Sequence, residues 1–244
     1  MEVALDERSL APEAEIAILA RALYREGWDD HNVGHITYRQ EDDTLLTLPV
    51  ERGWDEMRAS DIVRMDAEGN LLEGAGTITP PILLHVEFHR AQPGTGVTVH
   101  QHPRYTTIWS SAGRVPEPYD QRSAWVANDQ IAFYDDYEGG VDDINAVRAA
   151  VAAIGDRPCA ILRNHGAFVV GSDIAQAFTR SVSLEWRCRQ AWHVEAIGGK
   201  NVVPEPGQRA IAEFMSSSKS ISLMAQLWGW AARREIRSDA DVLN

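Results

Sequence analysis

"VTVHQHPRYTTIWS", Val97–Ser110, places two histidines one residue apart at the end of a β-branched run, directly before a proline. On an extended strand, residues i and i+2 point to the same side, roughly 6–7 Å apart along the backbone. His100 and His102 therefore share a face, and two imidazoles on one face can share a metal ion. The proline after them predicts that a helix, PRYTTIWSSA, starts there with Pro103 in its first turn.

Working outward, PPILLHVEFHRA (80–91) begins with a proline pair and continues as a helix to the loop PGTG, which precedes the histidine strand. Upstream, EAEIAILARALYRE (13–26) has apolar residues at helical spacing, and GHITYR (34–39) and TLLTLP (44–49) read as strands. DIVRMDAEGNLL (61–72) reads as a hairpin turning at Glu68-Gly69-Asn70.

Downstream, DQIAFYDDYEGG is irregular or strand, and DDINAVRAAVAAI (142–154) is a helix that Asp142 or Asp143 can cap. CAILRN (159–164) and AFVVG (167–171) are strands. A long helix follows from Ser172 or Asp173 to Gly198-Gly199, and two amphipathic helices, 206–218 and 220–235, lie in a helical C-terminal segment of about 206–244. Strands interrupted by helices, without repeat or low-complexity linker, predict one α/β domain over 1–244.

The 244 residues are 44% hydrophobic and carry a net charge of −13, with no basic cluster to track phosphates, so a nucleic-acid partner is not expected. No run approaches the length of a membrane span, and the acidic N-terminus lacks the apolar core of a signal peptide. Cys159 and Cys188 are isolated and fit a reduced, cytoplasmic protein.

His165 ends a buried strand and precedes Gly166, where the backbone is expected to turn sharply. With His100 and His102 it supplies three nitrogen donors, suited to Zn, Mn, Co or Fe. The alternative is a solvated strand face.

The longer pattern "LLHVEFHRAQPGTGVTVHQHP", followed by "ILRNHGAFVVGSDIAQAF", resembles the class II aldolase/adducin family. GHITYR resembles that family's glycine–small–serine strand, and IAFYDDYEGG a segment of its adducin-like branch. The resemblance spans roughly residues 13–195. It implies a three-layer α/β/α fold around a largely antiparallel sheet, usually in a homotetramer. It also implies one divalent metal per chain on His100, His102 and His165, acting as a Lewis acid on a small-molecule substrate.

The chain departs from that pattern where the aldolases carry a carboxylate four residues before the helix histidine, here His85. Pro81 stands there and can neither move a proton nor bind a cation. Glu87, two residues from His85, is about 200° round the helix. The phosphate loops also differ: His35 replaces an asparagine, and PVERGW and TITPP retain only Thr77 and Thr79 as hydroxyls.

These departures point to a metal-dependent carbon–carbon lyase, foremost a decarboxylase of a hydroxylated aromatic or keto acid, which needs no strong base to begin. An aldolase on a non-phosphorylated hydroxy-carbonyl compound, a non-haem iron oxygenase and a non-catalytic adducin-like module are the alternatives. Tyr134 loosely matches the aldolases' proton-donating tyrosine, and His35 is a second catalytic candidate. Arg39, Arg52 and Thr79 are candidates for substrate binding, and His85 for orienting the site. His31, His89 and His193 read as structural or exposed. Trp109, Trp125, Phe133, Tyr134 and Tyr137 would suit a planar ring, or ordinary core packing.

Overall fold

A computed structural model of the chain describes residues 10–136 and 143–244. The strand or irregular segment expected at DQIAFYDDYEGG therefore lies partly outside the described residues, as do Tyr137 and the alternative cap Asp142.

The chain opens with helix α1 (Pro12–Arg25), then β1 (His35–Arg39), β2 (Leu45–Thr47), and the hairpin β3 (Val63–Met65) and β4 (Leu71–Glu73). The proline pair forms a 3₁₀ turn, Pro80–Ile82, that leads into α2 (Leu83–Ala91). β5 (Val97–Gln101) and α3 (Arg104–Ala112) follow, then β6 (Ile131–Tyr134), α4 (Ile144–Ile154), β7 (Cys159–Leu162), β8 (Gly166–Gly171) and α5 (Ile174–Ala196). Helices α6 (Glu205–Met215) and α7 (Ser218–Ser238) close the chain. Pro103 sits at the N-cap of α3, one position before the expected first turn, and Asp143 and Asp173 cap α4 and α5 by accepting from Asn145 and Gln176.

Among the described residues, eight strands form one sheet in the order β4-β3-β2-β1-β5-β8-β7-β6. Every pairing is antiparallel except β6 with β7. Alternation along the strands assigns the two faces. Val97, Val99, Cys159, Ile161, Ala167 and Val169 join one core with residues of α1, α5 and α7. Ala160, Leu162, Phe168 and Val170 join another with Leu84 and Phe88 of α2 and Val147, Ala150, Val151 and Ile154 of α4. The result is the expected α/β/α arrangement.

Helix α7 packs on its own chain. Trp228, Ala231 and Ala232 are buried in the first core, and Trp228 packs against Phe178 at 5.8 Å. Arg25 pairs with Glu235, Arg234 with Glu26 and Arg21 with Asp239, tying α7 and the residue after it to α1. Among the described residues, no helix is long and apolar enough to cross a membrane.

Candidate metal centre

β1 and β5 pair in a register that sets His35 opposite His100 and Thr37 opposite Thr98. All four point to the α2 face of the sheet, because His100 in turn lies opposite Phe168 of the second core. His102 follows β5 with the same parity, and His165 lies in the short connection between β7 and β8. Each of His100, His102 and His165 offers a ring nitrogen, and these atoms lie within 4.8 Å of one another. The structure thus brings together the three histidines of the expected metal set.

Close backbone approach makes this possible. A Cβ on Gly166 would lie 2.5 Å from the Gln101 carbonyl oxygen and 3.2 Å from the His102 Cα. Glycine is required there by crowding rather than by a turn. The left-handed residue of the connection is Asn164, with φ 52°. Gly34 is constrained in the same way, since its Cβ would lie 2.6 Å from the His100 carbonyl.

The ring nitrogens are sorted by their partners. His100 Nδ1 donates to the Ala167 carbonyl at 2.8 Å, leaving Nε2 as its lone-pair nitrogen. His102 Nδ1 lies 2.7 Å from Asp30 Oδ2, and its Nε2 is buried with no hydrogen-bond partner. A carboxylate or carbonyl on the outer nitrogen of a ligating histidine is the usual way a ring is held for a metal. Burial, reinforced by the neighbouring imidazoles, keeps His100 well below the ordinary histidine range and His165 down to about 4. Both are neutral at pH 7, the form that binds metal. The orphaned buried Nε2 of His102 and the lone pair on Nε2 of neutral His100 fit a divalent cation. Burial raises the Asp30 carboxyl, but the hydrogen bonds from His102 and His31 outweigh it and hold the carboxyl lowered.

Two further groups were not singled out in the sequence. Asp30 comes from the loop before β1, whose only signal was an acidic pair ahead of GHITYR. Buried Glu185 of α5 accepts from the Tyr105 and Thr106 amides at 2.8 and 2.9 Å and from the Thr106 hydroxyl at 2.8 Å. It anchors the start of α3, immediately after HQHP, and burial lifts its carboxyl to about 7 despite those donors.

The sequence matches the family described as Class II Aldolase and Adducin N-terminal domain over residues 14–192. The chain belongs to the class II aldolase and adducin family. It is 31% identical over 198 residues to a 3,4-dihydroxyphthalate decarboxylase of Arthrobacter keyseri, covering 75% of this chain and 79% of the relative. Its fold matches an aldolase II superfamily protein of Pseudomonas syringae, with a TM-score of 0.84 at 23% identity over 96% of this chain and 98% of the other. It also matches L-fuculose 1-phosphate aldolase of Glaciozyma antarctica PI12, with a TM-score of 0.80 at 21% identity over 93% and 90% of the two chains.

Within this family frame, the remaining candidates separate. His35 is buried, its ring 5.3 Å from that of His100 and 5.6 Å from that of His85. Burial, aided by His102 and His165, pushes it down to about 3. His85 is fully buried against Phe168, with ring centroids 5.2 Å apart. Tyr134 ends β6 opposite Leu162, three residues before His165, and packs against the second core.

Arg39 lies four residues along β1 from His35, about 13 Å at the usual strand rise. Its guanidinium donates to the His89 and Pro93 carbonyls, so the structure does not bring it to the triad. Arg52 pairs with Asp61 at 3.2 Å, and Thr79 precedes the Pro80–Ile82 turn. Glu87 is engaged by Arg90 and Arg148, on a different side of α2 from His85, as the helical spacing required. Trp109 is a core residue that donates to the Cys188 carbonyl. His31 is exposed, as is His193, whereas His89 is buried.

Proposed function

We propose that this chain is a metal-dependent decarboxylase of a hydroxylated aromatic acid. The observation that carries the reading is the cluster of His100, His102 and His165, with His100 and His165 held neutral and His100 and His102 held by hydrogen bonds, in a chain where Pro81 stands at the position of the expected aldolase carboxylate. A divalent ion held by His100, His102 and His165 would supply a Lewis acid that stabilises negative charge developing on a substrate oxygen. The likeness to 3,4-dihydroxyphthalate decarboxylase supports the same reaction class.

In such a reaction the ring–carboxylate bond breaks, CO₂ leaves, and the electron pair spreads through the ring toward the hydroxyl oxygen. The carbon left behind then takes a proton. Asp30 and the Ala167 carbonyl keep two of the imidazoles in single orientations, so no reorganisation is needed as charge develops. His35, neutral and beside His100, accepts a hydrogen bond from the substrate hydroxyl. Tyr134 is the proposed proton donor to the ring carbon. The chain is further proposed to work as a cytoplasmic homotetramer.

The test is CO₂ release from 3,4-dihydroxyphthalate and a panel of other hydroxylated aromatic acids, using enzyme loaded with Zn, Mn, Co or Fe. Turnover lost in His100→Ala is expected. If no hydroxylated aromatic acid is decarboxylated with any of these metals, the reading is wrong; oxygen uptake with iron would point to the oxygenase instead.

A further inference from the structure

α2 carries His85 and His89 one helical turn apart, both buried and facing the β1–β5 seam. A continuous chain of hydrogen bonds joins them. His85 Nδ1 lies 2.6 Å from Thr98 Oγ1, Thr98 Oγ1 lies 2.5 Å from Thr37 Oγ1, and Thr37 Oγ1 lies 2.8 Å from His89 Nε2. His89 Nδ1 ends the chain 3.3 Å from the Thr95 carbonyl oxygen.

The polarity of this chain follows from proton counting. A carbonyl oxygen cannot donate, so His89 carries its proton on Nδ1. Burial, with the nearby Arg39 cation, pushes His89 down to about 4, so it is neutral and its Nε2 is a bare acceptor. Thr37 must then donate to His89 and accept from Thr98. Thr98 has spent its one proton, so His85 must donate from Nδ1. The Nε2 of His85 is left as a lone pair, and it is buried without a hydrogen-bond partner.

One neighbouring ring also has an orphaned nitrogen. His35 Nδ1 is buried and unpartnered, and its ring stands edge-on to that of His85 at an interplanar angle of 71°. The two nitrogens make no hydrogen bond to each other in this structure, and a turn of the His35 ring that closed one would make His35 the donor to the His85 lone pair.

We propose that His89, Thr37 and Thr98 are positioning residues of a tautomer-setting relay that holds His85, and through it His35, with the proton on Nδ1. The Nε2 of His35 is thereby presented beside the triad as an acceptor for a substrate hydroxyl. The site then selects molecules that bring a hydroxyl donor and disfavours their methyl ethers. The link to turnover rests on the decarboxylase reading; the tautomers do not.

The test is nitrogen NMR of the full chain, ¹⁵N-labelled at histidine and loaded with diamagnetic zinc. Wild type is expected to show pyrrole-type Nδ1 and pyridine-type Nε2 at His85, His89 and His35. A proton on the Nε2 of His85 would overturn the relay, whether or not any acid is decarboxylated. Thr37→Val, which removes the transmitting hydroxyl, should leave His85 split between tautomers, and Thr37→Ser should restore one. An unchanged His85 signal in Thr37→Val would equally refute the proposal. With a substrate in hand, Thr37→Val should lower kcat by about 10- to 100-fold, the range found when the outer partners of metal-ligating histidines are removed. Recovery of kcat in Thr37→Ser is expected, and equal loss in both variants would count against the relay.

Discussion

Acidification of the metal-free protein offers a quantitative test of the buried imidazole cluster. His35, His85, His89, His100 and His165 are all held below the ordinary histidine value, each chiefly by burial. A lowered folded-state pKa means that the unfolded chain binds protons first. Stability is therefore complete above about pH 6.5 and is lost as pH falls toward the folded values, about 4 for His89 and His165. Between pH 7 and 5.5 the five groups together cost roughly 6 kcal/mol. Glu185 acts in the opposite sense: its carboxyl, raised by burial to about 7, favours the folded state on acidification by about 2 kcal/mol.

The net loss, about 4 kcal/mol, is a large fraction of the roughly 5–15 kcal/mol that holds a typical protein folded. Urea titrations of chelator-stripped protein at pH 7 and 5.5 would measure it. The midpoint should fall by about 1 M or more, taking m-values of about 1–3 kcal/mol/M. A midpoint that moves by less than about 0.3 M would refute the reasoning, because five neutral buried imidazoles cannot coexist with so small a proton uptake on unfolding.

Three mutations probe the shell around the triad. Asp30→Ala removes the acceptor for His102 Nδ1 and should weaken metal binding about 10- to 100-fold with an unchanged far-ultraviolet spectrum, as measured by competition with a chelating dye. Glu185→Ala leaves two amides and a hydroxyl at the head of α3 without an acceptor; thermal denaturation should show a loss of about 3 kcal/mol, part of it regained in Glu185→Gln. Gly166→Ala drives a methyl into the Gln101 carbonyl and should cost about 1–3 kcal/mol while loosening metal binding, whereas tolerance of alanine there would mean that β5 and β8 are not so closely joined.

Much of this molecule can be read from its sequence where local rules govern. Periodic apolar residues place α1 and α5 closely, and the short unbroken apolar runs CAIL and AFVV place β7 and β8 as buried strands. The HxH spacing works because one strand parity carries both rings. His165 is harder: a strand end before a glycine offers a third donor and the family resemblance implies the same set, but only sheet pairing brings it within reach of His102. Asp30, Glu185 and the Thr37–Thr98 pair are absent from any local pattern. Each acquires its role through long-range contacts: Glu185 meets Thr106 across 79 residues, and Thr37 meets Thr98 across 61. Arg39 shows the reverse failure. A cation near a strand end looks available for an anionic substrate, but folding engages it with the His89 carbonyl in the last turn of α2 and the Pro93 carbonyl just beyond it.

Metal content bears most directly on the central claim. Purified protein and a His100→Ala/His102→Ala variant should be analysed for Zn, Mn, Co and Fe after equilibrium dialysis against each ion. The wild type should hold about one ion per chain, as expected for a single site of three protein ligands, and the variant almost none. Equal loading of both proteins, or no loading of the wild type under any condition, would contradict that claim.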